Sequence, residues 1–95
     1  MSRTVGEGTN TVGPAGTHIL ETEIGDEVSL YDPKTEQVTV LNGTASDIWR
    51  LADGEHDVDE IVRLLAASYQ VSPESIAREV SATVDRFIEA GLLES

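Results

Sequence analysis

Two histidines and a crowd of carboxylates are the side chains in this sequence with obvious chemical reach. His18 stands near a run of apolar residues, and His56 sits inside Asp-Gly-Glu-His-Asp-Val-Asp-Glu, residues 53–60. A histidine among carboxylates can hold a cation loosely. The segment, however, has neither the ligand spacing of a zinc site nor the ligand order of a calcium loop. It reads as a solvated acidic loop. None of the serines stands in a nucleophile motif with a partnered histidine, and the glycines are scattered singly rather than gathered into a phosphate cradle. Cysteine is absent, which excludes thiolate catalysis, disulfides and cysteine-ligated metals. Neighbouring carboxylates are expected by chance on so acidic a chain, and none can be assigned to a cleft that would tune it for acid–base work. The expectation is a protein that is not an enzyme, with no catalytic residue, no metal and no cofactor.

The charge sharpens that expectation. Eighteen acidic residues stand against six basic ones, a formal charge of −12 over 95 residues. Nucleic-acid affinity rests largely on cations that displace counterions from phosphates, so a chain of this sign is a poor binder of DNA or RNA. An anionic membrane surface is disfavoured for the same reason. A solubilising surface suited to high salt and a field directed at a basic partner both fit this charge. No segment has the character of a secretory signal or the length of an apolar membrane span, so a cytoplasmic location is expected.

Whatever the protein binds must be positioned by a single small domain. Residues 1–16 hold four of the eight glycines and few apolar groups, which predicts a flexible N-terminal tail before a domain over 17–95. The stretch 17–24 is strand-like and Gly25-Asp26 is a turn pair. Residues 27–32 alternate, with Val28 and Leu30 opposite Ser29 and Tyr31; Asp32-Pro33-Lys34-Thr35 is a second turn, and 37–41 alternate again. Connections this short make the three strands an antiparallel meander.

The period then changes to helical. Ala45, Ile48, Trp49 and Ala52 share a face, with Thr44 and Asp47 as a capping box and Gly54 as the stop. Asp57 with Glu60 opens a second helix whose apolar face is Val58, Ile61, Val62, Leu65 and Tyr69. Ser72-Pro73 starts a third, with Ile76, Val80, Val84, Phe87 and Ile88 on one stripe and Gly91 as terminator. The predicted fold is α+β: a three-stranded antiparallel sheet followed by three helices, winged helix-turn-helix-like in outline.

The third strand raises the functional question. Gln37, Val38, Thr39, Val40 and Leu41 contain no lysine, proline or bulge signal to disarm an edge. Two readings stand. Either the edge is covered by the long third helix and its apolar residues are core, or it is kept for a guest strand.

The run VTVLNGTASDIWRLADG, then VDEIVRLLAASYQV, then the terminal Val80, Val84 and Phe-Ile-Glu-Ala-Gly-Leu-Leu (87–93), resembles the PqqD family over about residues 17–94. Each motif is a cap, a turn or a stripe; their joint order and spacing carry the likeness. The resemblance implies a recognition element for the leader of a ribosomally made, post-translationally modified peptide. The leader would add as a strand beside the third strand, in the groove between it and the third helix. Its amides would pair with Val38, Thr39 and Val40, and its apolar side chains would enter a slot bordered by Val40, Ile76, Val80 and Val84. Glu79 and Asp85 would meet basic leader residues. The same residues also read as plain core (Ile76, Val80, Val84) and as a solvated face (Glu79, Asp85).

The implied partners are the precursor leader and either a modifying enzyme, such as a radical S-adenosylmethionine enzyme in pyrroloquinoline quinone assembly, or a leader peptidase and cyclase in lasso-peptide assembly. A homodimer through the edge is also compatible. The competing reading is a winged-helix DNA-binding regulator. It is opposed by the net charge and by a third helix that sets Arg78 and Arg86 against Glu74, Glu79, Asp85 and Glu89. Replacing Thr39 with proline would separate strand addition from its absence, provided that the Thr39 N–H points outward.

Overall fold

In the computed structural model, which describes residues 11–94, the elements run β1 (Leu20–Ile24), β2 (Glu27–Asp32), β3 (Gln37–Val40), α1 (Gly43–Leu51), α2 (Val58–Tyr69) and α3 (Pro73–Glu89). The strands pair antiparallel in the order β1-β2-β3, so β2 is central and both others are edges. Gly25, at φ +64°, opens the two-residue β1–β2 turn in a conformation that glycine adopts without cost. In the β2–β3 turn the Asp32 carboxylate accepts the Lys34 N–H at 2.9 Å and the Asp32 carbonyl accepts the Glu36 N–H at 2.7 Å.

The helices begin nearly where capping chemistry places them. In α2 both halves of the Asp57/Glu60 box form, at 2.8 and 3.0 Å. In α1 the cap is Asn42 rather than Thr44: its side-chain oxygen accepts the Ala45 N–H at 2.8 Å. Asn42 wins because it is the last extended residue, and a cap must be non-helical itself. Ser72 precedes Pro73 at the start of α3 but makes no side-chain cap bond.

The core is aliphatic with one aromatic pair. Val28 and Leu30 on the inner face of β2 meet Ile48, Ile61, Val80, Val84, Leu92 and Leu93. Trp49 stands edge-on to Phe87, with centroids 5.4 Å apart and planes at 90°, an arrangement that adds about 0.5–1.5 kcal/mol beyond burial. Tyr69 and Ile88, assigned to apolar faces by period, are exposed, and Thr83 takes a buried place on α3 instead. The Tyr69 hydroxyl donates to Asp47. Burial and that carboxylate push its pKa up to about 12.

The join between β3 and α1 depends on one buried hydroxyl. Ser46 Oγ accepts the Val28 N–H at 3.0 Å and donates to the Leu41 carbonyl at 3.2 Å. It thus replaces a ladder bond at the point where the chain leaves the sheet, and the helix ties the end of β3 to β2.

The N-terminal expectation needs correction over part of its range. Residues 1–10 of the predicted tail lie outside the described residues. Residues 11–16 are packed: Val12 is buried, its N–H donates to the His56 carbonyl at 2.7 Å and its carbonyl accepts from Gly54 at 2.8 Å. Thr11 bridges to Asp57 and Ala15 to Leu93. Composition underrates such a segment because one valine and the backbone do the docking. Gly13, at φ +89°, approaches so closely that a Cβ would collide with the Ala52 carbonyl. The described residues are thus packed from Thr11 onward, whereas β1 itself begins at Leu20 rather than Thr17.

Candidate functional site

The outward backbone of β3 follows from the register. Directly opposed residues of an antiparallel pair alternate between exchanging both hydrogen bonds and exchanging none. The Leu41 N–H donates to the Val28 carbonyl at 2.8 Å. With Leu30 opposite Thr39 and Asp32 opposite Gln37, the bonded positions on β3 are Gln37, Thr39 and Leu41. Val38 and Val40, opposite Tyr31 and Ser29, turn their N–H and C=O groups away from β2. The two-residue β1–β2 turn, closed by Ile24 and Glu27, gives the same parity. The free donors on the open edge therefore belong to Val38 and Val40, and Thr39 points its N–H into the sheet.

No helix closes that edge. Among the described residues β3 is in contact with β2 and with no other strand or helix. The packed segment 11–16 runs instead against the α1–α2 loop and the C-terminal residues. Between the edge and α3 lies a groove of about 300 Å³, with Thr39, Val40, Leu41, Asn42 and Ala45 on one side and Thr83, Arg86, Phe87, Ala90 and Leu92 on the other.

Side chains on β3 divide by face. Val38 and Val40, 63% and 65% exposed, stand on the outer face of the sheet beside Leu20 and Tyr31. Thr39 is half-buried and Leu41 buried on the helical side. Val38 and Val40 are accordingly not core residues.

On α3 the groove-facing row is Thr83, Arg86, Phe87 and Ala90, at the three- and four-residue spacing of one helical face. Val80 and Val84, expected at the slot, are 1% and 3% exposed and belong to the core. Val84 is turned about 100° from Thr83, and Val80 lies on nearly the same face as Phe87 but two turns, about 10 Å, before it along the axis. Ile76 packs partly against the core. Glu79 is exposed one turn before Thr83 on the groove row, whereas Asp85 is exposed about 200° away from Thr83 on the opposite side. The sequence reading counts Arg86 only toward the charge of α3 and assigns Thr83 no role, because a polar pair interrupts the apolar stripe.

The histidines take local roles. His56 Nδ1 lies 3.2 Å from the Leu51 carbonyl and 3.1 Å from Asp53. The Asp53 hydrogen bond raises the His56 pKa, and the Glu55 N–H, with His56, lowers that of Asp53. His18 stands 3.6 Å from the Asp32 carboxylate. No group of three potential metal ligands is present among the described residues.

A small α+β domain whose β3 edge borders a helix-walled groove has the geometry that recognition by strand addition uses. The sequence matches the family described as Coenzyme PQQ synthesis protein D (PqqD) over residues 27–93, and the chain belongs to the PqqD family. It is 31% identical over 91 residues to the "PqqA binding protein" of Gluconobacter oxydans (strain 621H), covering 96% of this chain and 93% of that protein. Two solved structures share the fold. "TbiB1 in Complex with the TbiA(beta) Leader Peptide" is 26% identical with a TM-score of 0.77, over 85% of this chain and 94% of that one. "Lasso peptide synthetase B1 complexed with the leader peptide" is 24% identical with a TM-score of 0.73, over 86% and 96%.

Proposed function

We propose that this protein binds the leader of a ribosomally synthesised precursor as an added strand along β3 and presents it to an enzyme of the same pathway. The observation that carries this reading is the open edge: among the described residues no strand or helix covers the outward groups of Val38 and Val40, which lie beside the groove walled by α3. The relatives support it, since one is named for binding PqqA and others are described in complexes with leader peptides. Leader amides pair with Val38 and Val40, and leader side chains on the helical side enter between Leu41 and Phe87. Gln37 continues the edge, and Glu79 at the head of the groove row meets a basic leader residue, aided by the acidic field.

The protein performs no chemistry itself in this reading. Its partner is a radical S-adenosylmethionine enzyme in a quinone-type pathway, or a leader peptidase and cyclase in a lasso-type one, and the site of action is the cytoplasm. No helix among the described residues is long and apolar enough to cross a membrane.

The test is fluorescence anisotropy with the leader of the precursor encoded beside this gene, comparing the native chain with Val40→Pro. Proline there removes an outward donor and leaves the β2–β3 ladder whole. Binding lost in a variant that still folds supports strand addition. Equal affinity would end it.

A further inference from the structure

We propose that Arg86 selects the guest: peptides accepted by this groove carry an aspartate or glutamate at one register position, and its carboxylate pairs with the Arg86 guanidinium. This rests on the strand-addition reading above. Among the described residues that line the groove itself, with Glu79 a turn beyond its end, Arg86 is the single charged side chain. It makes no ion pair among the described residues, although the chain carries 18 acidic side chains. Arg50, by contrast, is spoken for by Asp47 at 3.0 Å and Glu23 at 3.4 Å. The Arg86 side chain folds back one turn, where its Nη2 donates to Thr83 Oγ1 at 3.1 Å. That bond uses one of five guanidinium N–H donors and turns the group toward the groove; the rest remain for a ligand.

A cation in the last turn of a helix also suits the helix dipole, but the dipole needs only the charge near the terminus. It does not need the side chain drawn into the groove onto a buried threonine. A carboxylate beside Phe87 would meet an exposed guanidinium already turned toward the groove by its bond to Thr83, a fork that can pair with it bidentately. The whole-molecule charge gives this pairing selectivity. A field of this sign repels peptides that are acidic throughout, so the favoured guest is neutral or basic overall with one acid in the right register.

The experiment displays random short peptides on phage and selects them in parallel on the full-length chain, on Arg86→Glu and on Arg86→Gln, with thermal melts confirming that each variant folds. The native chain is expected to enrich peptides with Asp or Glu at a fixed distance from an apolar residue. Arg86→Glu should enrich Lys or Arg at that position, and Arg86→Gln should lose the preference. In a selected peptide, Glu→Gln at that position should weaken binding to the native chain about tenfold and leave Arg86→Gln unaffected. Peptides whose binding is lost on Val40→Pro, yet which show no acid preference, would overturn the role of Arg86 and leave the adaptor standing. Should no selected peptide depend on Val40, both readings fall.

Discussion

The two edges of the sheet are built to opposite specifications. By the same parity, the outward amides of β1 are those of Glu21 and Glu23, whose side chains turn to the helical side. Glu21 accepts the Trp49 Nε1–H at 2.9 Å and Glu23 reaches Arg50 at 3.4 Å. Carboxylates directed inward along an edge are a recognised way of keeping other strands away, because a guest would have to desolvate them. β3 has valines at the residues whose amides point outward, where β1 has one glutamate bonded to the Trp49 indole and one paired with Arg50. One sheet thus carries an edge guarded by carboxylates and one without them, and in the proposed reading the leader adds to the second.

Proline substitutions break this contrast most directly. Val40→Pro should weaken leader binding by roughly ten- to a hundredfold: it unmakes one backbone hydrogen bond and leaves the leader carbonyl without a donor, at a cost of about 1–3 kcal/mol. Glu23→Pro, which deletes an outward donor on the guarded edge, should leave affinity unchanged. Titrations of the two variants side by side give the comparison; equal losses would mean that the edges are not distinct.

Next in size is Ser46→Ala. It leaves the Val28 N–H and Leu41 carbonyl buried without their bridge and should cost about 1–3 kcal/mol in denaturant unfolding. Because the bridge holds the end of β3, binding should weaken alongside stability. Glu21→Val with Glu23→Val is a converse test. Removing both guards should make β1 self-associate in sedimentation as concentration rises, at a stability cost of about 1 kcal/mol for the lost Trp49 bond.

The smallest effect is a control on pH. The folded pKa of His56 is raised above its ordinary value of 6.5, mainly by the Asp53 hydrogen bond. The stability it contributes is therefore full below pH 6.5 and lost as pH climbs through the raised value. Asp53, lowered below 3.8 chiefly by the Glu55 N–H, loses its contribution only as pH falls through its own folded value. Unfolding measured from pH 6 to 8 should show a slight decline that His56→Gln removes. Leader affinity should not follow it, since His56 lies in the α1–α2 loop, away from β3.

Much was legible from sequence where the physics is local. The meander, the Asp57/Glu60 box and the order of helices all rest on period and turn chemistry, which act within a few residues. The lack of lysine, proline or a bulge on β3 could also be read from its composition, but not whether a helix covered it. Other features depend on partners far along the chain. Parity on β3 needs the pairing of Val28 with Leu41, and a slip of one residue would hand the free amides to Thr39. The Thr39→Pro test would have removed a ladder bond instead of a docking site. The groove row on α3 depends on the rotational phase at which the helix meets the core, so Val80 and Val84 went inward while Thr83 and Arg86 came to the mouth. The packing of residues 11–16 likewise waits on a loop more than 40 residues away supplying their hydrogen-bond partners. Sequence by itself determined which elements form and that the third strand carries no lysine, proline or bulge; the tertiary structure alone decided that no described helix covers that edge and which atoms the edge and its groove present, because pairing register and helix phase are fixed only when distant segments pack.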